Sequence, residues 1–166
     1  MSPLSKAALG RLVVTLLALL LAQITLGWRL AVFGVVPDFW LLAVAAAALR
    51  VGTMGGAMAG FAVGLGLGLA QPVHLAVLPA CALVLGAASG TMQRITAETN
   101  MLVQAVVAAG FTAAFYWLHF LFVPSLGAAN YLRWSLEGAL YSAILAPFFF
   151  WLFAKLAGPQ ERYTLF

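Results

Sequence analysis

The sequence predicts an all-α fold: a polytopic membrane bundle of about six transmembrane helices, forming one integral membrane domain over residues 1–166. Three observations carry that expectation. First, 65% of the residues are hydrophobic and only 7% are charged. A soluble domain carries about a quarter charged residues, so this chain has too little polar side chain to cover a water-facing exterior. Second, the apolar residues fall into long runs, approximately 12–28, 31–49, 51–70, 75–92, 100–123 and 131–153, with short polar or proline-containing breaks between them. Runs of this size suit a hydrocarbon core about 30 Å thick. Third, the cations are unevenly shared between the two sides that six spans define. Lys6, Arg11, Arg50, Arg94, Lys155 and Arg162 fall on one side, Arg29 and Arg133 on the other. The richer side is expected to be cytoplasmic and to hold both termini.

Lys6 and Arg11 precede the uncharged run Leu12–Trp28. A positive start before an apolar run also describes a signal peptide. This run is long for one and no small-x-small cleavage site follows, so it reads as an uncleaved signal anchor.

The second run is the oddest. From Asp38 to Leu49 there are twelve residues before Arg50, which as a helix cover roughly 18 Å. Either Leu30–Val36 also enters the membrane with a break at Pro37, or the second helix is short and starts below the surface. Both place Asp38 at an unusual depth for a carboxylate. The simpler reading of Asp38 is a helix cap, accepting from free backbone N–H groups at the positive end of the helix dipole. The sharper reading is an intramembrane acid with a function. Arg50 suits the opposite helix end and can snorkel to water.

Gly52, Gly56, Gly60, Gly64 and Gly68 recur every fourth residue through the third run. Each glycine costs a helix in water about 1 kcal/mol against alanine. In a bilayer the backbone must satisfy its own hydrogen bonds, so the run remains helical. The glycines then make a groove that lets a neighbouring helix approach closely. Met54, Met58, Phe61, Leu65 and Leu69 take the other face, and the stretch is expected to be the central packing helix. The fourth run carries Ala82, Gly86 and Gly90 at the same spacing, a natural partner for the glycine face. Aromatic residues and His119 mark the outer end of the fifth run, and Pro147 is expected to interrupt the sixth.

Chemistry-bearing residues are sparse. His74 and His119 are far apart in sequence and both fall near the expected outer face, where histidine is more often an interfacial polar residue than a ligand. Two histidines and four acids without paired spacing suggest no metal site. The one cysteine, Cys81, excludes an internal disulfide and fits neither a metal cluster nor a Cys-His nucleophile. Ser89 and Ser142 have no evident base for intramembrane hydrolysis. No cofactor and no enzymatic activity are expected. Arg133 and Glu137 stand four apart and share a helix face, either as an interfacial ion pair or as part of an outer polar patch with Asp38. Phe148, Phe149, Phe150 and Trp151 cannot all face one side of a helix, so some must meet lipid or a second protein.

Three stretches resemble the MreD family of rod-shape-determining proteins. They are Pro37-Asp38-Phe39-Trp40-Leu41-Leu42; Leu49-Arg50-Val51-Gly52 running into Gly55–Phe61 and Gly64-Leu65; and Ala143–Phe149 in the last run. Their order and the chain length match the family, and the resemblance covers essentially the whole chain. Many members carry an acid where the third helix ends. Here that place reads Leu69-Ala70-Gln71-Pro72, so a role for that acid is not carried over.

The resemblance implies a multi-pass component of the bacterial inner membrane, similar in architecture to the substrate-binding subunits of energy-coupling-factor vitamin transporters. It implies a non-catalytic scaffold of the cell-elongation and peptidoglycan-synthesis complex. Such a scaffold would bind the transmembrane helix of MreC and work with MreB, RodA and a class B penicillin-binding protein. The residues expected to matter for packing or partner contact are Pro37, Asp38, Arg50, Gly56, Gly60, Gly64, Arg133, Glu137 and Pro147. A second reading, from a different class, is a small-molecule-binding subunit of a vitamin-type transporter. It draws on the broken second helix, whose N-terminus pointing into a cavity is a known way to bind a substrate.

Overall fold

The computed structural model describes residues 6–31, 36–71, 74–92, 101–124 and 127–157. Arg94, Glu98 and Arg162 lie outside these. Among the described residues every element is helical: α1 (Lys6–Leu26), a 3-10 turn (Gly27–Leu30), α2 (Phe39–Ala70), α3 (Val77–Thr91), α4 (Met101–Phe122) and α5 (Ala128–Ala157). Four stretches, Gly10–Leu30, Phe39–Ala70, Met101–Phe122 and Ala128–Phe153, are long and apolar enough to cross a membrane, and Val77–Thr91 is a shorter apolar helix. The chain is therefore built as a multi-pass membrane protein. The runs expected as two separate spans, 31–49 and 51–70, belong to the one element α2, which is broken at Gly52.

At Gly52 the backbone takes φ 78° and ψ −171°, a region that only glycine enters without strain. The break is sharp. A Cβ placed on Gly56 would lie 2.6 Å from Cβ of Ala48, whereas eight residues along a straight helix are about 12 Å apart. Residues 39–51 and 53–70 are thus two arms of a hairpin, and Asp38 and Gln71, just beyond its two ends, line one cavity.

The arms differ in how they pack. Every residue from Phe39 to Leu49 is buried, so this short alanine-rich arm, and not the glycine-rich one, is the centre of the molecule. The arm 53–70 buries Gly56, Ala59, Gly60, Val63, Gly64, Leu67 and Gly68, and leaves Met54, Met58, Phe61, Leu65 and Leu69 exposed. The expectation of a central glycine helix is corrected: glycine spacing shapes one face, and one face is all that is covered.

That face meets α3 backbone to backbone. Gly56 lies against Gly86, Gly60 against Ala82, Gly64 against Leu78 and Pro79, and Gly52 against Gly90. Rising numbers in one helix pair with falling numbers in the other, so the two run antiparallel. A Cβ on Gly60 would run into the Ala82 carbonyl oxygen, and one on Gly64 would come within 2.8 Å of the Leu78 carbonyl oxygen. Closeness of this kind is what small residues at four-residue spacing permit in lipid.

Around this hairpin, α1 applies Leu12, Thr15, Leu16 and Leu19 to the core, a spacing that keeps them on one helix face. The exposed Val14, Leu17 and Leu21 take the other side. Helices α4 and α5 pack mainly on each other, clasped by the buried hydrogen bond from Thr112 Oγ1 to Ser142 Oγ at 2.8 Å. Phe149 is buried and stacks on Phe39, with ring centroids 5.1 Å apart, while Phe148 and Trp151 are exposed. Pro147 does not interrupt α5, which runs unbroken through it. In lipid-embedded helices the carbonyl that a proline frees finds other partners and the helix persists.

The bundle has two chemically distinct ends. At one, the Arg50 guanidinium lies over the Phe153 ring, 5.4 Å from its centroid, and Lys155 lies over Trp151. The N-terminal part of α1, with Lys6 and Arg11, belongs to the same end, because the C-terminal part of α1 lines the cavity at the other.

Candidate functional site

Hairpin geometry explains why a cavity forms where it does. At 1.5 Å per residue the arm 39–51 is about 20 Å long and the arm 53–70 about 27 Å. The buried arm therefore stops short of the end its partner reaches. A cavity of about 710 Å³ occupies that end. Gln23, Ile24 and Trp28 line it from α1 and the 3-10 turn, Asp38 and Trp40 from the start of the short arm, and Leu67, Ala70 and Gln71 from the end of the long one. His74 and Leu78 close another side, and Phe115, Tyr116, His119, Tyr131 and Trp134 come from α4 and α5. Trp40 and Phe115 are both buried and in edge-on contact at 4.8 Å, whereas Trp28 is 78% exposed and stands at the mouth.

Asp38 sits here, but not as a helix cap. Its side chain makes no capping bond. Instead its Oδ2 accepts from the Tyr116 hydroxyl at 2.8 Å. The capping task falls to α1: the Phe39 N–H donates to Oε1 of Gln23 at 2.8 Å. The reading of Asp38 as a local cap is corrected for that reason. A side chain from another helix takes the free backbone donor, which leaves the carboxylate to face the cavity. The Trp40 side chain also donates a hydrogen bond to this carboxyl.

The two histidines, 45 positions apart in the chain, meet across this cavity with ring centroids 5.0 Å apart. His119 Nδ1 is 3.4 Å from the Tyr131 hydroxyl, which itself donates to the Val123 carbonyl at 2.9 Å. Nδ1 of His74 is buried without a hydrogen-bond partner, an arrangement that costs on the order of 1–3 kcal/mol unless something fills the partner's place. Among the described residues no group of three His, Cys, Asp or Glu side chains is arranged to hold a metal ion.

The remaining site residues singled out from the sequence lie elsewhere or play other parts. Pro37 is buried directly before the short arm. Arg50 is at the opposite end, and Gly56, Gly60 and Gly64 are the contact with α3. Arg133 Nε donates to Glu137 Oε1 at 2.7 Å in an exposed ion pair. These two do not line the cavity, although Trp134 beside them does. Tyr116, Gln23 and the His74–His119 pair were not singled out together by sequence reasoning. Their partners come from other helices, and no local spacing announces them.

No protein-family model, curated protein or solved structure matches the chain.

Proposed function

We propose that this protein is a non-catalytic scaffold of the bacterial cell-elongation complex, an MreD-like inner-membrane protein that binds MreC and through it works with MreB, RodA and a class B penicillin-binding protein. The observation that carries the reading is where the resemblance falls. Pro37-Asp38 opens the fully buried arm, Leu49-Arg50-Val51-Gly52 makes its turn, and Gly56, Gly60 and Gly64 close the hairpin on α3. Motifs concentrated on the residues that build the fold support a shared architecture, and the function follows by analogy with the family. The end holding Lys6, Arg11, Arg50 and Lys155 faces the cytoplasm on this reading, by the positive-inside rule. The exposed apolar sides of the bundle, such as Val106, Leu140 and Ile144, are available to lipid and to the transmembrane helix of a partner.

The test is co-purification in mild detergent of the chain expressed from its native operon. A single-span protein with a periplasmic coiled coil, recovered near one to one, is the expected result. Recovery of an ATPase pair with a second membrane subunit rejects the scaffold. That outcome belongs to the second reading, a small-molecule-binding transporter subunit, which one observation favours: the cavity ringed by Asp38, His74 and His119.

A further inference from the structure

The cavity has a chemistry of its own. Among the described residues Asp38 is the only acid lining it, and no lysine or arginine lines it. Much of its wall is aromatic, with Trp40 and Tyr131 buried and Trp28 and Trp134 exposed. Aromatic faces attract cations and do so most strongly where water is excluded. A half-buried carboxylate among such rings is met only by neutral donors, the Tyr116 hydroxyl and the Trp40 side chain, and a cation supplies the opposite charge that they lack. Nδ1 of His74 adds a second requirement, since it is buried and unpartnered in the same wall, and an adjacent donor on the ligand would satisfy it. A volume of about 710 Å³ lies within the roughly 300–1,000 Å³ of ordinary small-molecule sites.

We propose that this cavity binds a ligand bearing an organic ammonium group, with the cation held by Asp38 among the aromatic side chains of the wall and a neighbouring O–H or N–H donated to His74. Two sources present this chemistry, a free amine and the ammonium of a zwitterionic phospholipid head group. The inference rests on neither reading of the partner complex, because ligand titration and co-purification report on different surfaces.

The test uses the full chain purified in a maltoside detergent, which carries no ammonium. Tryptophan fluorescence is followed while choline, ethanolamine, dihexanoyl phosphatidylethanolamine and the uncharged choline isostere 3,3-dimethylbutan-1-ol are titrated separately. A saturable change with at least one cationic probe, at least about tenfold tighter than any seen with the isostere, is expected, since a desolvated cation–π contact is worth about a factor of ten or more. Asp38→Asn should weaken binding by about tenfold or more, and Trp134→Ala, at the partly exposed rim, by several-fold. Met58→Ala, on the outer face of the long arm, should leave it unchanged. Response to the short-chain lipid alone identifies the head group of a bilayer lipid, and response to choline or ethanolamine identifies a free amine. If Asp38→Asn does not fold, the comparison of cation with isostere on the unaltered protein and the Trp134→Ala variant still decide. An isostere that binds as tightly as choline, or no saturable response to any cation up to about 10 mM, overturns the proposal.

Discussion

The two arms of the α2 hairpin are both apolar, adjacent in sequence and joined at one residue, yet they are packed by opposite rules. Residues 39–49 carry bulky and alanine side chains and are covered on every side. Residues 53–70 put glycine on one face and methionine, phenylalanine and leucine on the other, and only the glycine face is covered. In water, a helix apolar all round belongs in a core. In a bilayer that inference fails, because lipid accepts an apolar face as readily as protein does. What separates core from periphery here is side-chain size and spacing. Glycine at every fourth place marks a seam between two helices, and an unbroken run of alanine and leucine marks the helix that others surround.

That contrast can be broken at three points. The buried thiol of Cys81, the only cysteine in the chain, supplies the readout: a fluorogenic maleimide reacts with it as the bundle opens on heating. The largest loss is expected from Gly60→Leu, which drives a side chain into the Ala82 backbone. Overpacking costs about 1–3 kcal/mol where neighbours can move, and main chain cannot, so this variant should cost about 3 kcal/mol or more and label at low temperature. A variant that labels like the parent would mean that the seam between the long arm and α3 is not close-packed. Next come Leu42→Ala and Met58→Ala as a pair. Leu42 is 1% exposed and Met58 is 64% exposed. The first should cost about 2–4 kcal/mol, the second less than about 0.5 kcal/mol, and equal losses would erase the distinction between the arms. The third point is Gly52→Ala, at a positive φ. It should cost about 1–3 kcal/mol in backbone strain, without altering the helix content measured by circular dichroism.

Much of this fold was legible in the sequence, and what was missed has a common cause. The short second helix follows from counting residues between Pro37 and Arg50, whereas residues 32–35, within the stretch on which the two alternatives differ, lie outside the described residues. The glycine seam follows from spacing. Both are local signals. Asp38 was misread because its partner, Tyr116, lies 78 residues away and its substitute as a cap, Gln23, lies on another helix. The His74–His119 contact was invisible for the same reason. Pro147 shows the opposite failure, a strong local rule overridden because the helix around it is held by its neighbours and has no water to compete for its backbone. The cavity was half legible: the residue count shows a helix too short for the membrane, but not that aromatic side chains from other helices line the space left at its end.

The short arm also bears on how the chain enters the membrane. A helix of about 20 Å does not cross a hydrocarbon core of about 30 Å, so residues 39–51 have no stable resting place in lipid by themselves. They become a buried element only when residues 53–70 have folded back beside them at Gly52. The unit of insertion is accordingly the pair. Until its second arm has been synthesised, the segment that will become the innermost part of the protein belongs to neither water nor membrane.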